Sequence, residues 1–512
     1  MRSFRWVDFA VICAYVLGLT AMGLRFSRRQ TSTERYFTAK GSVPSWAVGL
    51  SFLTAMTTSV TFIAFPGAAY AKDWSLLLPG IMLAVVMGLV GYVVIPFYRR
   101  TVGMSAFEYF GKRFGRLARI YAAVAFTLAH FSKIGLVFYL LALTINSMTG
   151  WPMDQVIIIS GLLTLIYTLK GGFEAVVWTD ALQGVVIWTG ILISLGYLLL
   201  TPPGGPAAVF REAVDNHKIS FGSTAPDFSQ PTVWVLIIYG FFWYLQRYTT
   251  DQTLVQRYLA AKTDGAAVRG VAMGALLAVP VWALFMLIGT CTWTFYRLTG
   301  EKLPAYVTKG DQAFPHFLST HLPPGVSGLV MAALMGAAMC ALSGDLNAFA
   351  SVGVEDVYRV LRPASTDQRR LRVAKYIVIA SGLLAIATAL VLSHSNTPAL
   401  SLWFSASAIV SGGLAGLFGL AFVTRRATRA GAYAGIGTCV VFTGWATLTL
   451  GTNRVVDLGR FNFPWHDYVI GAIGNVVLFV VGYGVSVAAG RRYGGEVSVE
   501  RRAATGRGLA AK

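Results

Sequence analysis

The sequence is poor in charged residues and very poor in cysteine. Only 12% of its 512 residues are Asp, Glu, Lys or Arg, whereas soluble globular chains carry about 25%. Its four cysteines, Cys13, Cys291, Cys340 and Cys439, lie in apolar runs and show no CxxC or Cys/His spacing. We therefore expect them to be small buried residues rather than ligands of a structural metal.

The chain also lacks the polar stretches that would form a separate soluble module. The longest segments between apolar runs are Thr201–Thr232 and Arg297–Gly325. No Walker A sequence, HExxH motif or clustered catalytic set is present. We predict that the protein is not an enzyme, and that residues 1–490 form one membrane domain followed by a short cytoplasmic tail, 491–512.

Long hydrophobic runs make up most of the sequence. The chain is 55% hydrophobic, with a mean hydropathy of +0.62, and its runs approach the roughly 20 residues that a helix needs to cross a bilayer. We predict an all-α polytopic membrane protein with about thirteen transmembrane helices. These are Trp6–Leu24, Ser45–Tyr70, Leu76–Tyr98, Ile120–Met148, Val156–Thr168, Ala175–Leu200, Val233–Tyr244, Val271–Phe295, Val326–Phe349, Tyr376–Leu392, Ala399–Val423, Ala432–Leu450 and Tyr468–Ala489.

The net charge is +20, and its distribution along the chain indicates a membrane protein rather than a nucleic-acid-binding protein. With the N-terminus outside, most Lys and Arg fall in inside segments, which is the positive-inside pattern. The clusters are Arg25–Lys40, Arg99–Arg119, Arg247–Arg269, Arg359–Lys375, Arg425–Arg429 and the tail from Arg491. We therefore expect the cytoplasmic membrane as location, the lipid bilayer as partner and no nucleic-acid partner.

Two of the apolar segments look interrupted. Ser51–Thr61 is dense in hydroxyls and is followed by Pro66 and Gly67; five segments later, the aromatic run Tyr239–Tyr248 changes into a polar stretch that reaches Asp251. Each alone could be a kinked helix. Broken helices at matching positions of two halves instead indicate a binding site between inverted repeats.

Three motifs carry a resemblance to a known family. Tyr167–Gln183 reads YTLKGGFEAVVWTDALQ, Asp251–Leu259 reads DQTLVQRYL and Glu355–Tyr358 reads EDVY. They resemble signatures of the sodium/solute symporter family, which includes sodium/sugar, sodium/proline and bacterial sialic acid transporters. The glycine-rich stretch Gly412–Phe418 also fits, and the resemblance extends over about Tyr36–Gly435.

This resemblance implies a fold and a function. The fold would be a LeuT-like core of two inverted five-helix repeats over about 45–423, with an extra first helix at 6–24 and two further helices within 432–489. The function would be secondary-active symport, in which inward sodium flux drives uptake of a small polar solute by alternating access. The solute would be an acidic sugar or carboxylate such as sialic acid, or a sugar or polyol, and a monomer would be the functional unit. Proton coupling on the same fold, or a non-transporting solute sensor, are the alternatives.

The resemblance also implies a sodium site with an unusual side-chain half. Backbone carbonyls of Thr54 and Thr57 would be two ligands, but Cys340 and Ala341 occupy positions where the family carries hydroxyls. A thiol is a poor ligand for a hard cation, and alanine offers none. Asp345, one helical turn after Ala341, would replace the hydroxyls, or would be structural and paired with a neighbouring helix. Otherwise the site is weak and coupling moves to a proton or to Asp180.

Asp180 and Ser343 match family residues near the ion exit route or a second sodium site. Asp180 could instead be a carboxylate at the inner end of a helix. Asp345 lies in an apolar segment, where a carboxylate is costly and tends to be functional.

Six residues are candidates for binding the solute. Lys133 aligns with a position at which sialic acid transporters carry an arginine for the substrate carboxylate; alternatively, it forms a salt bridge such as one with Asp345. His130 precedes it by one turn. Aromatic faces are common in sugar sites, and from Phe241–Tyr244 we select Trp243 and Tyr244. Met56, Thr58 and Gln183 complete the set as substrate-side or polar lining residues.

Overall fold

A computed structural model describes residues 6–27, 30–305, 307, 309–394, 409–451 and 454–489. The regular elements among these residues are helices, and Val43 and Ala261 form an isolated bridge. The helices are α1 (Trp6–Arg25), α2 (Thr33–Thr38), α3 (Ser45–Met56), α4 (Ser59–Ala71), α5 (Leu77–Val86), α6 (Tyr92–Thr101), α7 (Glu108–Phe114), α8 (Arg116–Thr149), α9 (Met153–Leu200), α10 (Gly205–Asp215), α11 (Val233–Thr250), α12 (Gln252–Ala260), α13 (Asp264–Thr299), α14 (Gly310–His321), α15 (Val326–Val352), α16 (Arg359–Leu361), α17 (Asp367–His394), α18 (Leu414–Val423), α19 (Arg429–Leu448) and α20 (Tyr468–Ala488).

The predicted membrane character is confirmed. Among the described residues, eight helices are long and apolar enough to cross a bilayer, or nine when the bent pair α3 and α4 counts as one span. Two π-helical turns, Met87–Gly91 and Gly353–Tyr358, join α5 to α6 and α15 to α16. The tail 491–512 and the first part of the predicted run at 399–423, residues 399–408, lie outside the described residues.

The predicted separation of the runs at 156–168 and 175–200 is present, and one other predicted boundary needs correction. The two runs are helical segments of α9 on either side of Gly172, whose backbone angles (φ 59°, ψ −160°) are not helical. A Cβ on Gly172 would lie 2.9 Å from the Tyr36 ring, so the positive φ and the close approach both require glycine. Helix α11 continues to Thr250 instead of ending at Tyr244, because its polar last turns face the protein interior.

Both expected helix breaks are present. Helix α3 ends at Met56 and α4 begins at Ser59, with an extended backbone at Thr57 and a bend of 58° between the two helices. Helices α11 and α12 are separated by Asp251 alone, at φ −91° and ψ 112°. The Asp251 carboxylate accepts a hydrogen bond of 2.8 Å from Thr253 N–H, so the same residue ends one helix and caps the next.

Helix α15 lies at the centre of the molecule, and 89% of the residues in its most apolar 18-residue stretch are buried. It packs against α1, α8, α9 and α17. Its side chains therefore face protein on all sides, and the polar residues among them need partners from neighbouring helices. The four cysteines are unpaired, and Cys340, on α15, is buried.

Candidate functional site

The first break exposes backbone carbonyls. At the end of α3, Thr54 C=O accepts a hydrogen bond of 3.0 Å from Thr57 N–H, which leaves the second lone pair of that oxygen available. Thr57 Oγ1 is buried and has no hydrogen-bond partner within the described residues. The start of α4 is fixed to α8, because Ser59 donates to Val137 C=O at 3.0 Å. The N–H of Thr58 is capped by the Thr61 hydroxyl at 3.3 Å.

Asp180 is a fully buried carboxylate inside α9, not at a helix end. Its Oδ2 accepts from Ser51 Oγ at 2.6 Å and from Arg257 Nη2 at 2.8 Å. Arg257 also donates to the carbonyls of Ser51 (3.1 Å) and Thr253 (2.7 Å). The pair therefore ties α9, α3 and α12 together at a depth where neither charge reaches solvent.

Part of the predicted sodium set comes together around Asp180. Cys340 lies near the side chains of Asp180 and Thr54, and Ser343 donates to Cys340 C=O at 3.1 Å. Ala341 is buried beside them on α15. Thr54, Asp180, Cys340 and Ser343 thus gather where α3, α9 and α15 meet.

Gln183 lies one turn further along α9. Both polar atoms of its side-chain amide are buried without a hydrogen-bond partner in the described parts of the chain. A Cβ on Gly336 of α15 would lie 3.3 Å from Gln183 Cγ, so α9 and α15 approach closely here. Gln183 is therefore next to the Asp180 group rather than in the cavity described below.

Asp345 points toward a different neighbour, helix α8. Its Oδ2 lies 2.8 Å from Lys133 Nζ, and its Oδ1 lies 2.6 Å from His130 Nδ1. This is the ion pair that the sequence left open as one alternative. Both oxygens are thus engaged, and in the described residues no contact supports the hypothesis that Asp345 replaces the hydroxyls missing at Cys340 and Ala341.

The charged contacts continue from His130 to the second break. His130 Nε2 lies 3.4 Å from Asp251 Oδ2, and Arg247 Nη1 lies 3.2 Å from the same oxygen. Arg247 Nη2 reaches back to the first break, 3.8 Å from Met56 Sδ. Sequence reasoning missed Arg247, because it falls in a basic cluster typical of an inside loop. The four-residue spacing of Arg247 and Asp251 was a usable signal.

A cavity of about 300 Å³ opens against these residues. It is lined by Phe126, Ala129, His130, Ser132, Lys133, Trp243, Gln246, Arg247, Thr250, Asp251, Ser411 and Leu414. Trp243 lines it as expected. Tyr244 does not; it is buried against Trp282, with ring centroids 6.1 Å apart, because successive helical residues point about 100° apart.

The comparisons with known proteins agree with this arrangement. The model of the sodium:solute symporter family matches residues 36–438. The chain belongs to the sodium:solute symporter family. Sodium is therefore its coupling ion, a small-molecule solute is its cargo, and the expected transport function is confirmed.

Similar curated proteins include two bacterial sialic acid symporters. The sodium/sialic acid symporter NanT of Aliivibrio fischeri is 29% identical over 487 residues, covering 94% of this chain and 93% of the relative. SiaT of Proteus mirabilis is 28% identical, covering 94% and 95%. The sodium/glucose cotransporter of Vibrio parahaemolyticus is also 28% identical, covering 85% and 84%.

The solved structures confirm the LeuT-like fold. A substrate-bound, outward-open Na⁺-coupled sialic acid symporter matches with a TM-score of 0.87 at 27% identity, covering 95% of this chain and 99% of that one. Mhp1, a nucleobase-cation-symport-1 family transporter, matches with a TM-score of 0.60 at 16% identity, covering 92% and 98%. The second match shows the fold alone.

Proposed function

We propose that this symporter imports a sialic acid-like organic acid. The observation that carries the proposal is the cavity between α8 and the second helix break, whose wall presents Lys133, Arg247 and His130 together with Trp243. Basic groups attract a carboxylate, and an indole offers an apolar face to a sugar ring. The similarity to two sialic acid symporters over nearly their whole length supports the same solute class.

The sodium ion would bind where α3, α9 and α15 meet. Hard cations prefer oxygen ligands, and the carbonyls of Thr54 and Thr57 with the Ser343 hydroxyl are candidates. Asp180 Oδ1 is a further candidate, because in the described residues it accepts no hydrogen bond from nitrogen or oxygen. Cys340 and Ala341 would contribute little, so this site would bind sodium less tightly than one with hydroxyls at both positions.

Coupling would follow from a shared preference for one conformation. Sodium at the first break would stabilise the state in which the cavity also binds the solute, so each ligand raises the affinity for the other. No covalent step is involved. The N-terminus would lie outside, the C-terminal tail in the cytoplasm, and one chain would be the functional unit in the cytoplasmic membrane.

Flux into proteoliposomes tests the proposal. Purified protein is reconstituted, and radiolabelled sialic acid uptake is measured under an inward NaCl gradient, with matched KCl and choline chloride gradients as controls. We expect accumulation only with sodium. Solute binding without flux would indicate a sensor instead, and accumulation driven by a pH gradient without sodium would indicate proton coupling.

A further inference from the structure

Two cations line the cavity, and they differ in how many of their donors are already used. We infer that Arg247, rather than Lys133, holds the carboxylate of the transported solute, and that the solute class is sugar acids. The inference rests on the proposed function in one respect, namely that the solute is an organic acid. It assigns to Arg247 a role in binding that the sequence motifs do not indicate.

Lys133 is committed to Asp345. Its ammonium lies 2.8 Å from Asp345 Oδ2 and 3.2 Å from His130 Nδ1. Asp345 is only 1% exposed, and a carboxylate at this depth is very unfavourable without a cation beside it. If Lys133 turned to a solute, Asp345 would lose that cation. The pair therefore favours keeping Lys133 in place when the cavity fills.

Arg247 has free donors on one edge of its guanidinium group. Nη1 is paired with Asp251 at 3.2 Å. On the opposite edge, Nη2 contacts the thioether of Met56 at 3.8 Å, which is a weak acceptor. Nε is buried with no hydrogen-bond partner among the described residues. Nε and Nη2 together form the planar two-donor edge that binds a carboxylate in bidentate fashion.

The position of Arg247 suits a residue that responds to the solute. Its side chain reaches from Met56, the last residue of α3, to Asp251, which separates α11 from α12. A carboxylate on the Nε and Nη2 edge would thus lie between the two broken helices. Solute binding there would contact both broken helices, which form the site around which alternating access operates.

The rest of the cavity wall selects sugar acids among organic acids. Trp243 offers a ring face, and Gln246 offers amide hydrogen bonds, both suited to a hydroxylated ring. A carboxylate that displaces the Met56 thioether would satisfy the buried Nε and Nη2 donors of Arg247, whereas a neutral sugar brings no charged acceptor to them. The site should therefore discriminate between an acid and its uncharged analogue.

The test compares sialic acid with its carboxamide in sodium-driven uptake. For Arg247→Gln, KM for the acid should rise about tenfold to a hundredfold, as for the loss of a charge-assisted hydrogen-bond pair, with a smaller change in kcat. Its preference for acid over amide should disappear. The double variant Lys133→Gln/Asp345→Asn removes the other cation without leaving an unpaired carboxylate, and as the matched control it should keep that preference. Loss of the preference in this double variant, with retention in Arg247→Gln, would overturn the inference.

A second variant covers the case in which Arg247→Gln does not fold. Met56→Gln keeps the guanidinium and gives Nη2 a strong internal acceptor, which should compete with the solute and raise KM for the acid but not for the amide. An unchanged KM for the acid in this variant counts against the inference.

Failure of the proposed function is recognised separately. If the wild-type protein does not take up sialic acid, thermal shifts in NaCl with gluconate and galacturonate, against glucitol and galactose, test the carboxylate site directly. Acid-specific shifts that vanish in Arg247→Gln support the inference. Shifts that persist in that variant, or that occur only with the neutral sugars, contradict it.

Discussion

Asp180 and Asp345 are two buried carboxylates, each paired with one cation at 2.8 Å, but in different surroundings. Arg257, the partner of Asp180, has a side chain that is 1% exposed. Lys133, the partner of Asp345, has a side chain that is 30% exposed and lines the cavity. A buried pair of an aspartate and a cation therefore holds helices together in one place and forms part of a cavity wall in the other.

The difference shows how surroundings assign a role to a charged pair. Around Asp180, further donors of Arg257 bond to the Ser51 hydroxyl and to the carbonyls of Ser51 and Thr253, so the pair holds three helices together. Around Asp345, His130 links the carboxylate to Asp251 at the second break. A change at that second pair can therefore reach the solute site.

The largest expected effect is the loss of stability on breaking the Asp180–Arg257 pair. Arg257→Met leaves Asp180 without its cation in a dry interior, and breaking such a pair costs about 3–5 kcal/mol. We expect a marked fall in the melting temperature of the purified protein in detergent, or a loss of folded protein. The double variant Arg257→Met/Asp180→Asn removes the unpaired charge and should regain most of the loss. If Arg257→Met alone melts at the wild-type temperature, the Asp180–Arg257 pair contributes nothing to stability.

A smaller effect is expected from the pair in the cavity wall. Lys133→Met leaves Asp345 with His130 as a remaining partner, so we expect a destabilisation of about 1–3 kcal/mol. The same melting experiment measures it, and Asp345→Asn added to Lys133→Met should restore stability. If Lys133→Met lowers the melting temperature as much as Arg257→Met does, the two pairs do not differ in their contribution to stability.

Much of the fold could be predicted from the sequence, because the bilayer imposes a simple length and polarity rule. The breaks near Thr57 and Asp251 were also visible, since hydroxyl-rich or charged residues interrupt apolar runs there. The separation at Gly172 was visible as well, since charged Lys170 and Glu174 interrupt the apolar runs there.

The site was harder to predict, for a physical reason. Helix α15 is buried on all sides, so no amphipathic pattern shows which helix Asp345 faces. Its partner Lys133 could be proposed only as an alternative. Arg247 was interpreted as a loop residue, because a basic residue near the inside end of a helix usually contacts solvent. In the structure, α11 continues beyond Arg247, and the side chain of this residue faces the protein interior. Trp243 and Tyr244 are adjacent aromatics, and only the packing of α11 decides which one lines the cavity.

The smallest expected effect sharpens the comparison further, because it separates the two acids by their influence on sodium. Cys340→Ser places a hard oxygen beside Asp180 and should tighten sodium binding about fivefold, the effect of roughly one additional kcal/mol. Asp345→Asn should change sodium affinity by no more than about twofold, since the carboxylate is engaged by Lys133 and His130 rather than by the ion. The sodium concentration dependence of the melting temperature, with choline chloride holding ionic strength constant, gives both affinities. A strong loss of sodium affinity in Asp345→Asn would place that acid at the ion, and would require it to leave Lys133 when sodium binds.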